Sequence, residues 1–242
     1  MSAPHPPRAV VLAGGKGQRL APYTTVLPKP LMPVGEHPIL ERVLQSLSRA
    51  GFRDITISVG HLAELIRVFF GTGEKYNLNI DYAIEDVPLG TIGPLAFIEN
   101  LGDNFLVMNG DVLTDLDLSE FWKRHLEGNA TLSIATHARQ VNIDFGVLRR
   151  DGENRVTEFV EKPTIPYEVS MGIYALNARC LKYVPRGEYF GFDKLVLALL
   201  AAGEVVRAHP HKGQWLDIGR PEDYEAANRM VDTFASDSFQ KQ

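Results

Sequence analysis

Residues 8–34 read RAVVLAGGKGQRLAPYTTVLPKPLMPV, and the rest of the chain is organised around them. Ala9-Val10-Val11-Leu12 is a short apolar run with the character of a buried strand. Gly14, Gly15 and Gly17 follow it. The stretch then shows no hydrophobic periodicity, which predicts a long ordered loop. Loops of that length in compact domains are usually functional. Glycine lets backbone come close to a ligand, and successive backbone N–H groups can converge on an anion. Lys16, Arg19 and Lys29 add three cations within fourteen residues. A glycine-rich turn at the carboxyl end of a first strand, followed by fixed cations, is a site for phosphates.

Two common phosphate loops do not fit. The P-loop needs G-x-x-x-x-G-K-[ST], and no such run occurs. The dinucleotide fingerprint needs G-x-G-x-x-G opening a helix. Here Leu20 stands where its third glycine belongs, and prolines follow. The strings LAGGKGQRLAPYT, LPKP and MPV instead resemble the signature of the sugar-phosphate nucleotidyltransferases, the NDP-sugar pyrophosphorylases: L-A-G-G-x-G-T-R-L-x-P-x-T, then P-K-P and P-V. Gln18 departs from that pattern, standing where the family usually has threonine.

Length and composition agree with one domain. The chain has 242 residues and 45% apolar content, enough for a sizeable core. No apolar run is long enough to span a bilayer, and the opening MSAPHPPR has no apolar segment of the secretory kind. The lone Cys180 excludes an internal disulfide and agrees with a reducing cytoplasm; it reads as a buried packing residue. Net charge is −5 with no Lys/Arg block, which disfavours nucleic acid as a partner. Homo-oligomerisation stays open, because the Ile, Leu and Phe clusters suit a core or an interface.

Along the chain, strands and helices alternate as far as residue 111. Helices are predicted over 38–50, 62–70 and 92–99, with Thr91 as cap of the third. Strands are predicted over 55–59, 80–84 and 105–108. This implies βαβ units and a mostly parallel sheet covered on both faces. The second half reads as mixed β: a helix over 118–127, strands at 131–136, 145–148, 156–160 and 171–176, and an Asp151-Gly152 hairpin turn. Helices at 178–183 and 192–202, strands at 205–208 and 214–218, and a closing helix over 221–231 complete it. The expected fold is α/β, a Rossmann-like mixed sheet flanked by helices. The family resemblance implies a nucleotide-binding half, about 8–111, and a smaller sugar-binding β annex, about 112–235. Residues 1–7 and 236–242 read as frayed tails, and there is no room for the hexapeptide β-helix some family members carry.

Several side chains carry chemistry. Asp111 ends Met108-Asn109-Gly110-Asp111 at the carboxyl end of a strand, where ligands collect in open α/β sheets. A carboxylate there is placed to hold Mg²⁺, which prefers one or two protein carboxylates plus substrate phosphates. Asp217 lies inside the apolar Trp215-Leu216-Asp217-Ile218-Gly219, where an unpaired charge is costly. The resemblance implies that Asp111 and Asp217 hold the metal. It places Leu12, Ala13, Gly14, Gly15, Lys16, Gly17, Glu85, Gly90 and Thr91 at the nucleotide. It places Gly146, Glu161, Lys162 and Gly172 at the sugar phosphate, with Ser170 or Met171 near the position of the family's usual asparagine. Asp115-x-Asp117 resembles a glycosyltransferase metal motif, but alternation with Leu116 and Leu118 suits a solvated edge better. His209 and His211 read as surface residues.

The implied reaction joins a nucleoside triphosphate to a sugar 1-phosphate and releases pyrophosphate. Arg19 is assigned to the pyrophosphate and Lys29 to the α-phosphate, with Asp111 completing the catalytic set. Leu89-Gly90-Thr91-Ile92-Gly93 is most like the guanylyltransferases for mannose or manno-heptose 1-phosphate. Thymidylyl, cytidylyl or uridylyl transfer to another sugar is the alternative. A non-catalytic nucleotide-sugar-binding subunit is the remote one, against which stand Arg19, Lys29, Asp111, Lys162 and Asp217, all present.

Overall fold

The computed structural model describes residues 7–85 and 87–239, with side chains to residue 230. Of the tails expected at either end, residues 1–6 and 240–242 lie outside this range. The first half contains β1 (Arg8–Ala13), β2 (Pro33–Val34), β3 (His37–Pro38), α1 (Ile39–Arg49) and β4 (Asp54–Val59). Then come α2 (Ala63–Phe70), β5 (Asn79–Ile84), β6 (Asn104–Asn109) and β7 (Val112–Thr114). The second half contains α3 (Leu118–Gly128), β8 (Leu132–Asn142), β9 (Val147–Arg150), β10 (Val156–Val160) and β11 (Thr164–Asn177). It ends with α4 (Phe192–Ala201), β12 (Val206–His211), β13 (Trp215–Asp217) and α5 (Pro221–Phe239).

Seven strands make one mixed sheet, in the order β12-β8-β11-β6-β1-β4-β5. β1 is parallel to β4 and β6, β4 to β5 and β12 to β8, while β11 runs antiparallel to β6 and β8. β8, β11 and β12 come from the second half, so that half builds part of the main sheet. Its separate β portion is the β9–β10 hairpin and the outer reach of β8 and β11.

Burial follows the two-residue period of a strand. Ala9, Val11, Leu106, Met108, Ile173 and Ala175 face α1, α2 and α3. Val10, Phe105, Val107 and Leu176 face the other way, toward Leu195 and Leu199 of α4 and Cys180. Central strands covered on both faces are apolar throughout, which is why β1 and β6 read as continuous runs. Cys180 is fully buried, and burial pushes its thiol pKa up to about 12. No helix among the described residues is long and apolar enough to cross a membrane.

The chain leaves β1 toward β4 and β5, then returns to β6 on the other side. The crevice beyond the carboxyl ends of β1 and β6 is thus a topological switch point, where open α/β sheets bind ligands. The long loop after β1 holds three short 3₁₀ turns, at Gln18–Leu20, Tyr23–Thr25 and Lys29–Leu31. It is ordered by a small core of its own: Leu20, Met32 and Val34 pack with Ile39, Leu113, Ile218 and Ala227. The Tyr224 hydroxyl donates to Pro33 O at 2.6 Å, and Asn228 Oδ1 accepts from Gly35 N at 3.0 Å.

Four expectations need correction. The helix expected over 92–99 is a 3₁₀ segment, Gly93–Phe97, because Pro94 cannot donate and the Ile92 and Gly93 N–H groups are taken by Phe190 O. Thr91 does not cap it; its Oγ1 accepts from Phe192 N at 2.8 Å, at the start of α4. The segment expected as a helix over 178–183 is likewise 3₁₀. The closing helix runs on to Phe239, through residues 236–239 expected as tail.

His125 on α3 lies 1% exposed between Ser133 Oγ at 2.9 Å and Asn104 Oδ1 at 3.2 Å. Burial, helped by His209 and Arg179, holds its pKa down at about 4 against an ordinary 6.5. Between those values the unfolded chain takes up a proton that the folded chain refuses. Stability therefore falls with falling pH, by up to ~1.4 kcal/mol per pH unit across that window. In urea denaturation at pH 7 and pH 5, the wild-type protein is expected to lose about 1–2 kcal/mol more than His125→Gln. Equal losses would show that the buried ring titrates normally.

Candidate active site

The glycine loop begins where β1 ends. Ala13 is buried, Leu12 O accepts from Gly110 N at 2.9 Å, and Gly15 and Lys16 are exposed. Gly17 has φ +61°, and a Cβ there would stand 2.9 Å from Thr24 Cγ2 and 3.2 Å from Lys29 Cβ. The Thr24 hydroxyl donates to Gly17 O at 2.9 Å. This folds the loop back so that Lys29, opening the 3₁₀ turn at 29–31, points into the crevice.

Lys29 is 9% exposed and forms an ion pair with Asp111 Oδ2. The other oxygen, Asp111 Oδ1, is buried with no hydrogen-bond partner in the protein. β13 pairs antiparallel with β7, setting Asp217 opposite Val112, and Ile218 N donates to Asp111 O at 3.1 Å. Asp217 is thereby held beside Asp111. Burial raises the Asp217 pKa and the charge of Asp111 adds to it, while Lys29 and Arg19 pull the other way. The Arg19 guanidinium lies 3.2–3.3 Å from where a Cβ on Gly219 would stand. Two cations and two carboxylates thus converge at the switch point. An unsatisfied buried oxygen and hard oxygen donors suit a divalent cation such as Mg²⁺, and two carboxylates leave the remaining positions to water and phosphate. No cluster of three or more metal-ligating side chains occurs among the described residues.

Glu85, just past β5, reaches the same crevice. Its Oε1 accepts from Ser58 Oγ at 2.8 Å and lies 2.8 Å from where a Cβ on Gly14 would stand; its Oε2 accepts from Leu89 N at 3.2 Å. Gly90 and Thr91 follow, tied to residues 190–192: Phe190 N donates to Leu89 O at 2.8 Å.

β11 bulges between Ser170 and Tyr174. The bulge puts Gly172, at φ +75°, against Asn109, whose Nδ2 lies 2.6 Å from where a Cβ would stand. Trp215 Nε1 donates to Met171 O at 3.0 Å, joining the bulge to the strand that carries Asp217. Gly146, Glu161 and Lys162 gather separately, at the hairpin side: Phe159 and Glu161 Oε2 lie against Gly146. Glu161 and Lys162 are exposed, and Lys162 has φ +45°, a conformation that costs a non-glycine residue energy and recurs at functional sites. Among the described residues, no hydrogen bond or ion pair joins Glu161 or Lys162 to Lys29, Asp111 or Asp217.

The paired aspartates at 115 and 117 have structural duties. Asp117 caps α3, accepting from Ser119 N and Glu120 N at 3.0 Å. Asp115 accepts from His211 Nε2 at 2.7 Å. His211 and His209 are therefore half-buried, correcting their reading as surface residues; His209 Nε2 lies 3.2 Å from Ser133 Oγ and its ring meets Phe121 edge-on. The sequence reading gave no role to Asn109, Ser58, Tyr174 or residues 190–192. Asn109, within Met108-Asn109-Gly110-Asp111, and Tyr174, at the end of Ser170-Met171-Gly172-Ile173-Tyr174, stood inside motifs; the others did not.

A family model described as nucleotidyl transferase matches residues 8–233. The chain is 32% identical over 244 residues to a UTP–glucose-1-phosphate uridylyltransferase of Synechocystis, covering 93% of this chain and 63% of that protein. It is 32% identical over 225 residues to a mannose-1-phosphate guanyltransferase of Yarrowia lipolytica, covering 90% of this chain and 62% of that protein. The chain thus spans under two thirds of these curated relatives. Among solved structures it resembles HddC of Yersinia pseudotuberculosis complexed with GMP-PN, with TM-score 0.69, 29% identity and coverage of 93% and 99% of the two chains.

Proposed function

The chain belongs to the nucleotidyl transferase family, and from that premise we propose that it makes a nucleotide sugar and pyrophosphate from a nucleoside triphosphate and a sugar 1-phosphate, with GTP and D-mannose or D-glycero-D-manno-heptose 1-phosphate as best-matched substrates. The observation that carries this reading is the convergence of Lys29, Arg19, Asp111 and Asp217 at the switch point beside the glycine loop. We place the activity in the cytoplasm, in keeping with a lone buried cysteine.

An oxygen of the sugar phosphate attacks the α-phosphorus. The bond from that phosphorus to the bridging oxygen breaks, and pyrophosphate leaves with the electron pair. Both reactants are anions, so catalysis here is positioning and charge stabilisation without a covalent nucleophile. Lys29 holds the α-phosphate, Arg19 the departing pyrophosphate, and the N–H groups of residues 14–17 the triphosphate. Lys162 grips the sugar phosphate, Glu161 accepts from sugar hydroxyls, and Gly146 and Gly172 lie at the sugar phosphate. Asp111 and Asp217 are the groups to hold Mg²⁺, which would supply further neutralisation of phosphate charge.

Glu85 supports a guanine base. Each carboxylate oxygen makes one bond and keeps a free lone pair. Guanine offers N1–H and N2–H₂ donors side by side on its pairing edge, whereas uracil and thymine flank one donor with two carbonyls that a carboxylate repels. The uridylyltransferase relative favours the second reading, uridylyl or another pyrimidine nucleotidyl transfer.

Pyrophosphate release would be measured for GTP, UTP, dTTP, CTP and ATP crossed with mannose, glucose and manno-heptose 1-phosphates. GTP with a manno sugar is the expected pair. Glu85→Gln is expected to reduce the preference for GTP over UTP roughly tenfold, the scale of one hydrogen bond to a charged group. An unchanged ratio would remove Glu85 from base selection.

A further inference from the structure

The loop at 89–93 and the bulge at 170–174 are far apart in sequence, and residues outside both motifs join them. Ile92 N and Gly93 N donate to Phe190 O at 3.0 and 3.1 Å, and Phe192 N donates to Thr91 Oγ1 at 2.8 Å. The Phe192 ring stacks on Tyr174, centroids 3.8 Å apart and planes 22° apart. At the far end of Tyr174, its hydroxyl accepts from Ser170 Oγ at 3.0 Å, and Ser170 Oγ accepts from Gly172 N at 3.3 Å. Tyr174 is 6% exposed, so its ring serves other protein groups. Burial raises its phenol pKa, the Ser170 bond opposes this, and the charges of Asp217 and Asp111 add to the rise, so the hydroxyl lies within the field of both carboxylates.

We propose that the Tyr174–Phe192 stack is the joint between the two substrate sites: Phe192 and Tyr174 are positioning residues through which a nucleotide on the 89–93 loop and a sugar phosphate on the 170–174 bulge strengthen each other's binding. The inference rests on the functional reading above. Its physical basis is shared ordering. A nucleotide that fixes residues 89–93 also fixes 190–192 and the face on which Tyr174 rests. The second substrate then has less chain to immobilise, which appears as positive cooperativity.

Phe192→Leu keeps apolar bulk and removes the stack. With GTP and mannose 1-phosphate as probes, saturation with one substrate is expected to lower the KM of the other in the wild-type protein. In Phe192→Leu both KM values rise together, roughly three- to tenfold on the scale of an aromatic pair, the mutual effect vanishes, and kcat stays within about twofold because no group on the reacting atoms has changed. Tyr174→Leu, which removes the stack from its other side, behaves alike, and Phe192→Tyr keeps the wild-type pattern, which decides the matter if Phe192→Leu does not fold. In the free protein, hydrogen exchange at the Ile92 and Gly93 amides is faster in Phe192→Leu and Tyr174→Leu. A variant that raises only one KM, keeps the mutual effect or leaves those amides unchanged overturns the joint. If the wild-type protein releases no pyrophosphate from this pair, the substrate reading fails, and amide exchange alone decides whether the stack links the two sides.

Discussion

Lys29→Ala is expected to lower kcat by about 10²-fold or more, the scale of losing one preorganised charge at a reacting phosphate. The lysine is 9% exposed and ion-paired to Asp111, so little of its charge is screened by water. Its removal leaves Asp111 and Asp217 side by side with Arg19 as counter-charge, and the site turns anionic where two anionic substrates must meet. The variant should also be less stable, since a carboxylate loses its partner, but by less than the 3–5 kcal/mol of a fully buried pair. The Asp111 side chain is 26% exposed and can recover some hydration. Lys29→Arg should restore little, because a planar fork does not replace a compact ammonium in a packed turn. Single-turnover pyrophosphate release, with melting curves on the same samples, separates chemistry from folding. Full activity in the alanine variant would strike Lys29 from the catalytic set.

Gly172→Ala is expected to be strongly damaging for a change of one methyl group. The backbone there sits at φ +75°, which costs an L-residue about 1–2 kcal/mol. The added carbon would also stand 2.6 Å from Asn109 Nδ2, 2.9 Å from its Cγ and 3.3 Å from its Cβ, so the asparagine cannot swing clear by moving only its tip. Either the bulge opens or the end of β6, two residues before Asp111, shifts. We expect a loss of about 2–4 kcal/mol in stability and at least about tenfold in kcat/KM for the sugar phosphate, on the scale of a small misplacement at a reacting centre. Gly15→Ala is the control: a Cβ there meets nothing within 4 Å. That variant should melt like the wild-type protein, and any loss of activity would come from crowding the ligand. A Gly172→Ala protein of normal stability and kinetics would show that the bulge is not needed for substrate.

Local chemistry made the first half of the chain legible. Continuous apolar runs marked β1 and β6, apolar spacing at Ile39, Leu40, Val43, Leu44 and Leu47 marked α1, and glycines with fixed cations marked the loop. What escaped depends on partners distant in sequence. Nothing around Ile92 shows that its N–H belongs to Phe190 O, so a helix was expected where tertiary bonds impose a 3₁₀ turn. His209 and His211 look like strand-edge polar residues until β12 is paired to β8 and α3 packs nearby. Tyr174 and Phe192 are each ordinary core residues in sequence, and only their stacking connects two motifs. The closing helix was cut short because its apolar signal fades after Val231, although neither proline nor glycine follows to stop it.

The small core beneath the glycine loop has a consequence for how the chain folds as it is made. Leu20, Met32 and Val34 come early in the sequence, but Ile218, Tyr224, Ala227 and Asn228, far later in it, complete their packing and hydrogen bonds. Asp217 arrives equally late. A nascent chain can lay down β1, β4, β5 and β6 on the ribosome, yet the glycine loop has no floor until the first turns of α5 have emerged. The loop after β1 is therefore expected to reach its ordered form only after α5 has begun to emerge.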